Sequence, residues 1–225
     1  MTPREFVAAA RVPGAADGED ELRLYRRGSD FVIGLGRNEL MNSRVGGSEE
    51  ALAVEAIRRL RPRPAPRILI GGYGMGFTLR AALEALRDDA RVMVAELVPE
   101  IIDWARGPMA ALTAGYLDDA RVELVEGDVA ASIADGGWDA VLLDVDNGPD
   151  GLTRAGNDRL YSSAGLAATR RALAPGGVLA VWSAAPDPRF VKRLAQAGFA
   201  VEELAVRARA NGKGPRHVIW FATWG

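Results

Sequence analysis

Four acidic side chains, each just past an apolar run, are the residues of this chain best placed to do chemistry. Glu96 ends Arg91-Val-Met-Val-Ala-Glu, Asp128 follows the run Val122 to Val125, and Asp144 and Asp146 follow Trp138 to Leu143. Carboxylates at such positions can accept hydrogen bonds from ribose hydroxyls, reach an amino group, or take a proton from a nucleophile. Ahead of them lies Gly71-Gly-Tyr-Gly-Met-Gly76, whose glycines permit positive φ and let a ligand approach main-chain N–H groups that a Cβ would shield. Gly72, Gly74 and Gly76 are spaced G-x-G-x-G, and Phe77 stands where a dinucleotide fingerprint would need its third glycine. No Gly-Lys-Ser/Thr follows, which excludes a phosphate-binding P-loop. A tight turn without ligand is the plainer reading of the glycines, and a helix cap that of each acid, Asp128 above all. Together they describe a nucleoside-binding crevice.

That crevice requires a scaffold that delivers every acid to one edge. Arg67-Ile-Leu-Ile reads as a buried strand, and Phe77, Leu79, Ala82, Leu83 and Leu86 mark the helix after the bend. From Arg67 onward strands alternate with helices: Arg91–Glu96, a helix opened by Pro99, Val122–Val125, Trp138–Leu143, a helix over Leu160–Leu173, Val178–Ser183, and a helix from Pro188. Phe199–Val206 and His217–Thr223 close the chain as an antiparallel pair. This order predicts an α/β fold, a mostly parallel sheet with helices on both faces, and ligands of such sheets sit at the carboxyl edge of the strands. Before Arg67 the chain is less regular. Residues up to about Asp20 read as irregular loop. Leu22–Arg26 and Phe31–Leu35 read as a hairpin, with Glu39–Asn42 as a third short strand. Ser48-Glu49-Glu50 has the look of a helix N-cap before a helix over Ala51–Leu60. The expected organisation is a hairpin region with its helix over 1–61, a Pro-rich linker over 62–66, and a catalytic domain over 67–225.

The chain has 225 residues, 48% hydrophobic and 26% charged, with net charge −2. This balance argues against nucleic acid or a membrane surface as the main partner. No apolar run approaches the about 20 residues of a membrane span, and no signal peptide is evident, so a cytoplasmic enzyme is expected. There is no cysteine and one histidine, His217, which argues against thiolate catalysis, cysteine-ligated metals and multi-histidine sites; no metal is expected. His217 reads as a structural histidine. Trp104, Trp182 and Trp220 read as packing, and the basic turn with Arg207, Arg209, Lys213 and Arg216 as solvated.

The glycine bend with its preceding strand resembles motif I of class I S-adenosylmethionine-dependent enzymes. Further stretches in register resemble the spermidine synthase (polyamine aminopropyltransferase) family: Ala95-Glu-Leu-Val-Pro-Glu-Ile-Ile-Asp-Trp-Ala, Val125-Glu-Gly-Asp-Val, Trp138-Asp-Ala-Val-Leu-Leu-Asp-Val-Asp, Leu160-Tyr-Ser and Leu173-Ala-Pro-Gly-Gly-Val-Leu-Ala-Val. The resemblance implies a seven-stranded class I methyltransferase-type sheet, with the N-terminal hairpin as a shortened form of the family's small β-domain. It implies aminopropyl transfer from decarboxylated S-adenosylmethionine to a small amine, with the nucleoside on Gly71, Gly72, Gly74, Gly76, Glu96, Asp128 and Val129. Asp144 matches the family's catalytic aspartate, with Asp146 nearby. Three positions differ from the family pattern. Gly74 stands where a loop aspartate contacts the donor's amine, Asn147 where a second acid belongs, and Ser48-Glu49-Glu50 where the family has Tyr-His-Glu. A methyltransferase using S-adenosylmethionine itself on a small nucleophile stays open beside the aminopropyl reading, as does a catalytically silent nucleoside-binding protein. The hairpin before Ser43 could supply a homodimer contact or a lid.

Overall fold

The computed structural model describes residues 3–14, 21–36, 38–145, 158–209 and 211–224; Asp146 and Asn147 lie outside these. An antiparallel four-stranded sheet comes first, built from β1 (Glu5–Arg11), β2 (Glu21–Arg27), β3 (Asp30–Leu35) and β4 (Asn38–Asn42) in that order. Helix α1 (Gly47–Arg58) leads to the principal sheet. There follow β5 (Arg67–Gly71), α2 (Phe77–Ala85), β6 (Arg91–Glu96), α3 (Pro99–Arg106) and the short α4 (Ala110–Thr113). Next come β7 (Val122–Glu126), α5 (Val129–Ala134), β8 (Trp138–Leu143), the short α6 (Asp158–Tyr161), α7 (Ser163–Ala172) and β9 (Leu173–Ser183). The chain closes with α8 (Pro188–Gln196), β10 (Ala200–Arg207) and β11 (Arg216–Thr223).

The principal sheet has the order β10-β11-β9-β8-β5-β6-β7, and β11 is antiparallel to both its neighbours. Strands β5 and β8 are buried almost throughout, as continuous apolar runs in the middle of a parallel sheet should be. Side chains then sort by parity. Ile68, Ile70, Ala140, Leu142, Val178, Ala180, Ile219 and Phe221 join the core that also holds α1, α2 and α3. Leu69, Val141, Leu143, Leu179, Val181 and Trp220 face the core formed with α5, α7 and α8. The first core continues into the four-stranded sheet through Leu22, Leu24, Phe31 and Ile33. Among the described residues no helix is long and apolar enough to cross a membrane.

Three readings from the sequence need correction. Glu5–Arg11 is a strand rather than irregular loop. Its Phe-Val-Ala-Ala-Ala core has no clean alternation, and a register shift between Phe6 and Ala8 breaks the period that would have marked it. Ser48 does not cap α1: the cap is Gly46, with no side-chain bond, and Ser48 lies fully buried inside the first turn. The helix expected over Leu160–Leu173 is interrupted at Ser162, whose Oγ accepts from the Gly165 N–H at 3.1 Å and starts α7 afresh.

Candidate active site

Because β5 pairs with β6 on one side and β8 on the other, the chain changes direction across the sheet at β5, and a crevice opens at its carboxyl end. Gly72 takes φ +86° there and donates its N–H to Ala95 O at 2.9 Å. A Cβ on Gly72 would lie 2.4 Å from the Asp144 carbonyl oxygen, so the strand ends of β5 and β8 close directly on one another. Asp144 N–H donates to Gly71 O at 2.9 Å, which completes the junction. A Cβ on Gly71 would lie 2.8 Å from Val129 Cγ2, so Val129 packs behind the bend. Gly74 has φ +55°, and its Cβ position would be 2.8 Å from Met41 Sδ, a sulfur contributed by β4. Gly76, also at positive φ, caps α2.

Glu96 is 5% exposed and turned toward this bend. Its Oε2 accepts the Tyr73 N–H at 2.8 Å and its Oε1 the Val98 N–H at 2.9 Å. Burial pushes its pKa up, and these backbone donors pull against that rise. The Gly74 and Leu97 N–H groups also act on this carboxylate, so four backbone donors hold it at the bend. Asp128, by contrast, is exposed and caps α5, its Oδ1 accepting the Ala130 N–H at 2.9 Å.

Asp144 lines a small cavity of about 50 Å³ between the four-stranded sheet and the edge of the principal one, together with Met41, Glu49, Gly74, Phe77 and Trp182. Thr78 Oγ1 donates to Asp144 Oδ2 at 2.6 Å and lies 3.3 Å from the Glu49 carbonyl. Burial raises the Asp144 carboxyl to about 6; the Thr78 hydrogen bond opposes the rise, and the Glu96 charge adds to it. Glu49 is raised further, to about 8, by burial and then by the nearby Asp144 charge. Two carboxyls in one cavity thus titrate near neutrality, the range in which a group can both take and give up a proton. Ser48 Oγ lies within hydrogen-bond distance of both neighbours, 2.5 Å from Glu49 Oε2 and 2.8 Å from His217 Nδ1. The half-buried imidazole stands edge-on to Trp182, ring centroids 4.8 Å apart.

The site therefore unites Gly72, Gly74 and Asp144, backs them with Glu96, and leaves Asp128 at the solvent edge. Asp146 falls outside the described residues. Glu49 was hidden in the sequence by its resemblance to a cap acid. Its partner Glu50 faces away and pairs with Arg80 of α2. Trp182 is more than the plain packing its sequence position suggests. It is buried, but it also walls the cavity, and its indole N–H has no acceptor among the described residues. Its place at the carboxyl end of the neighbouring strand, one register position past the Leu143–Val181 pair and so beside Asp144, was the available signal. Among the described residues no group of three or more His, Asp or Glu is placed to hold a metal.

Sheet order, glycine bend and strand-end acids define a class I methyltransferase-like fold. No family model matches the chain. It is 33% identical over 174 residues to a polyamine aminopropyltransferase of Mycobacterium tuberculosis, covering 72% of this chain and 30% of that protein. It is 34% identical over 190 residues to polyamine aminopropyltransferase 2 of Streptomyces coelicolor, covering 78% of this chain and 33% of that one. The chain thus spans about a third of the length of the curated relatives it matches. The crystal structure of spermidine synthase from Thermotoga maritima superposes with a TM-score of 0.73 at 19% identity, over 98% of this chain and 73% of that one. A spermidine synthase in complex with the transition-state analogue AdoDATO gives a TM-score of 0.72 at 20% identity, with the same coverage. The chain is a homologue of polyamine aminopropyltransferases and shares the fold of the spermidine synthases.

Proposed function

We propose that this chain is an aminopropyltransferase of the spermidine synthase type, moving the aminopropyl group of decarboxylated S-adenosylmethionine to a nitrogen of a small amine. The observation that carries this reading is the meeting of Asp144 and Glu49 in one cavity beside the glycine bend. The donor supplies a carbon activated by a sulfonium, and as the N–C bond forms the C–S bond breaks and sulfur keeps its electron pair. The protein's share is to align the amine and to free its lone pair. An aliphatic amine has a pKa near ~10.4 and enters as an ammonium ion. Acids with pKa values of about 6 and about 8 can hold that cation and accept its proton. Thr78 fixes the Asp144 carboxyl through its 2.6 Å hydrogen bond.

The residues around the bend suit the donor's nucleoside. Glu96 stands at the end of β6 beside the bend, where it would hold the ribose, and Asp128 would reach the adenine amino group with the oxygen not spent on Ala130. Gly71 and Val129 would form the floor behind them.

Gly74 favours a second reading, methyl transfer from S-adenosylmethionine itself. Where the family places an acid for the donor's amine, this chain places Met41 sulfur. A donor that keeps its carboxylate would meet no repulsion there. Isothermal calorimetry with the two donors separates the readings. Tighter binding of the decarboxylated form supports aminopropyl transfer; tight binding of S-adenosylmethionine with none of the other overturns it.

A further inference from the structure

We propose that Glu49, Ser48 and His217 form a proton relay, through which a proton taken up at the cavity leaves the protein at the second nitrogen of the imidazole. This deepens the aminopropyl reading, on which its use in turnover rests, but the relay is a property of the free protein. The geometry is a row of three groups from α1 and β11. Glu49 faces the cavity, the fully buried Ser48 hydroxyl lies 2.5 Å from its Oε2, and His217 Nδ1 lies 2.8 Å beyond.

A hydroxyl has one proton and stands here between two acceptors. If it donates to Glu49, then His217 must carry its proton on Nδ1 and donate to the Ser48 oxygen. If it donates to His217 Nδ1, then Glu49 must be protonated and donate to Ser48, and the neutral imidazole holds its proton on Nε2. Passing from the second arrangement to the first shifts one proton from Glu49 to Ser48, another from Ser48 to Nδ1, and releases a third from Nε2. One proton that entered at Glu49 is thus matched by one released at the far side of the ring. No bond between heavy atoms changes.

Ionisation states suit this traffic. Burial holds the imidazole below its ordinary pKa, so the ring is neutral where Glu49 titrates, at about 8. The charged groups around Glu49 are Asp144 at the end of β8, Glu50 on its own helix and His217 on β11. Glu50 is engaged by Arg80, and Glu96 acts on Asp144 from behind the bend. An ammonium ion held by Asp144 and Glu49 would favour ionised Glu49, so substrate entry itself would drive a proton outward.

The chain has one histidine, so nitrogen NMR of protein labelled with 15N-histidine reads the relay directly, with no donor or amine present. The expected result is a change of tautomer between about pH 6.5 and 9.5, from Nε2–H to Nδ1–H with a midpoint near that of Glu49. Glu49→Gln and Ser48→Ala should each abolish the change. A tautomer constant over this range, or an unaltered change in Glu49→Gln, overturns the relay whatever reaction the protein performs. Should Ser48→Ala fail to fold, Ser48→Thr, which keeps the hydroxyl, must retain the change. For the relay's part in turnover, Ser48→Ala should lose about tenfold in rate and recover it in concentrated imidazole buffer. Loss without buffer rescue shows that Ser48 merely holds Glu49 in place and overturns that part.

Discussion

Replacing Glu49 by glutamine should change how stability depends on pH, and the size of the effect can be worked out. The folded protein holds the Glu49 proton up to about 8, whereas an unfolded glutamate releases it near 4.5. A raised carboxyl contributes stability that is fully present below the unfolded value and is lost as pH rises through the folded one. Across the whole interval the ceiling is about 5 kcal/mol. Between about pH 6.5 and 9 the same relation leaves a loss of about 2 kcal/mol. Few other groups intrude on that window. Asp144 has made most of its own loss once the pH passes its folded value of about 6, and His217, held below its ordinary value, acts in the opposite sense and only at the lower end of the window. For a domain of this size about 2 kcal/mol corresponds to roughly 4–8 °C in Tm. Scanning calorimetry across that pH range at fixed ionic strength should therefore show the wild-type Tm falling by this amount and Glu49→Gln staying nearly level. A level wild-type profile, or a variant that falls in parallel, would refute the assignment of a buried, proton-holding Glu49.

Two further substitutions probe the neighbouring geometry. Gly72→Ala puts a Cβ 2.4 Å from the Asp144 carbonyl oxygen on a residue at φ +86°, and should cost about 3 kcal/mol, roughly 6–12 °C in Tm by calorimetry. Because the junction itself must shift, turnover should fall by about a hundredfold. Thr78→Val removes the hydrogen bond that favours ionised Asp144, so the acidic limb of the kcat/KM profile should move upward by about 1–2 pH units. A limb left in place would mean that Asp144 is not the group titrating there.

The parts of this architecture legible in the sequence are those set by local chemistry. Buried parallel strands such as Arg67–Gly71 and Trp138–Leu143 are unbroken apolar runs, and the turn after Gly71 needs glycines because Asp144 closes on it. Glu96 could be placed because a strand fixes where its last side chain lies. The rest depends on contacts between distant segments. Glu49 and Ser48 look like helix-start residues, and nothing local reveals that β11 brings His217 to them from 169 positions away. Asp128 caps α5, and its spacing alone could not separate that role from a ligand contact, since an acid at a strand end is also an acid at a helix start. Glu5–Arg11 escaped notice because alanines and a bulge blur the alternation on which strand recognition relies.

The central claim is that carboxyls at the end of β8 and the start of α1 free an amine for attack on a sulfonium-activated carbon. The direct measurement is mass spectrometry of a small diamine incubated with the protein and decarboxylated S-adenosylmethionine. The expected result is a product heavier by one aminopropyl group, formed by the wild type and lost in Asp144→Asn of unchanged Tm. A diamine left unmodified by wild-type protein that binds the donor, or one methylated from S-adenosylmethionine instead, would contradict it.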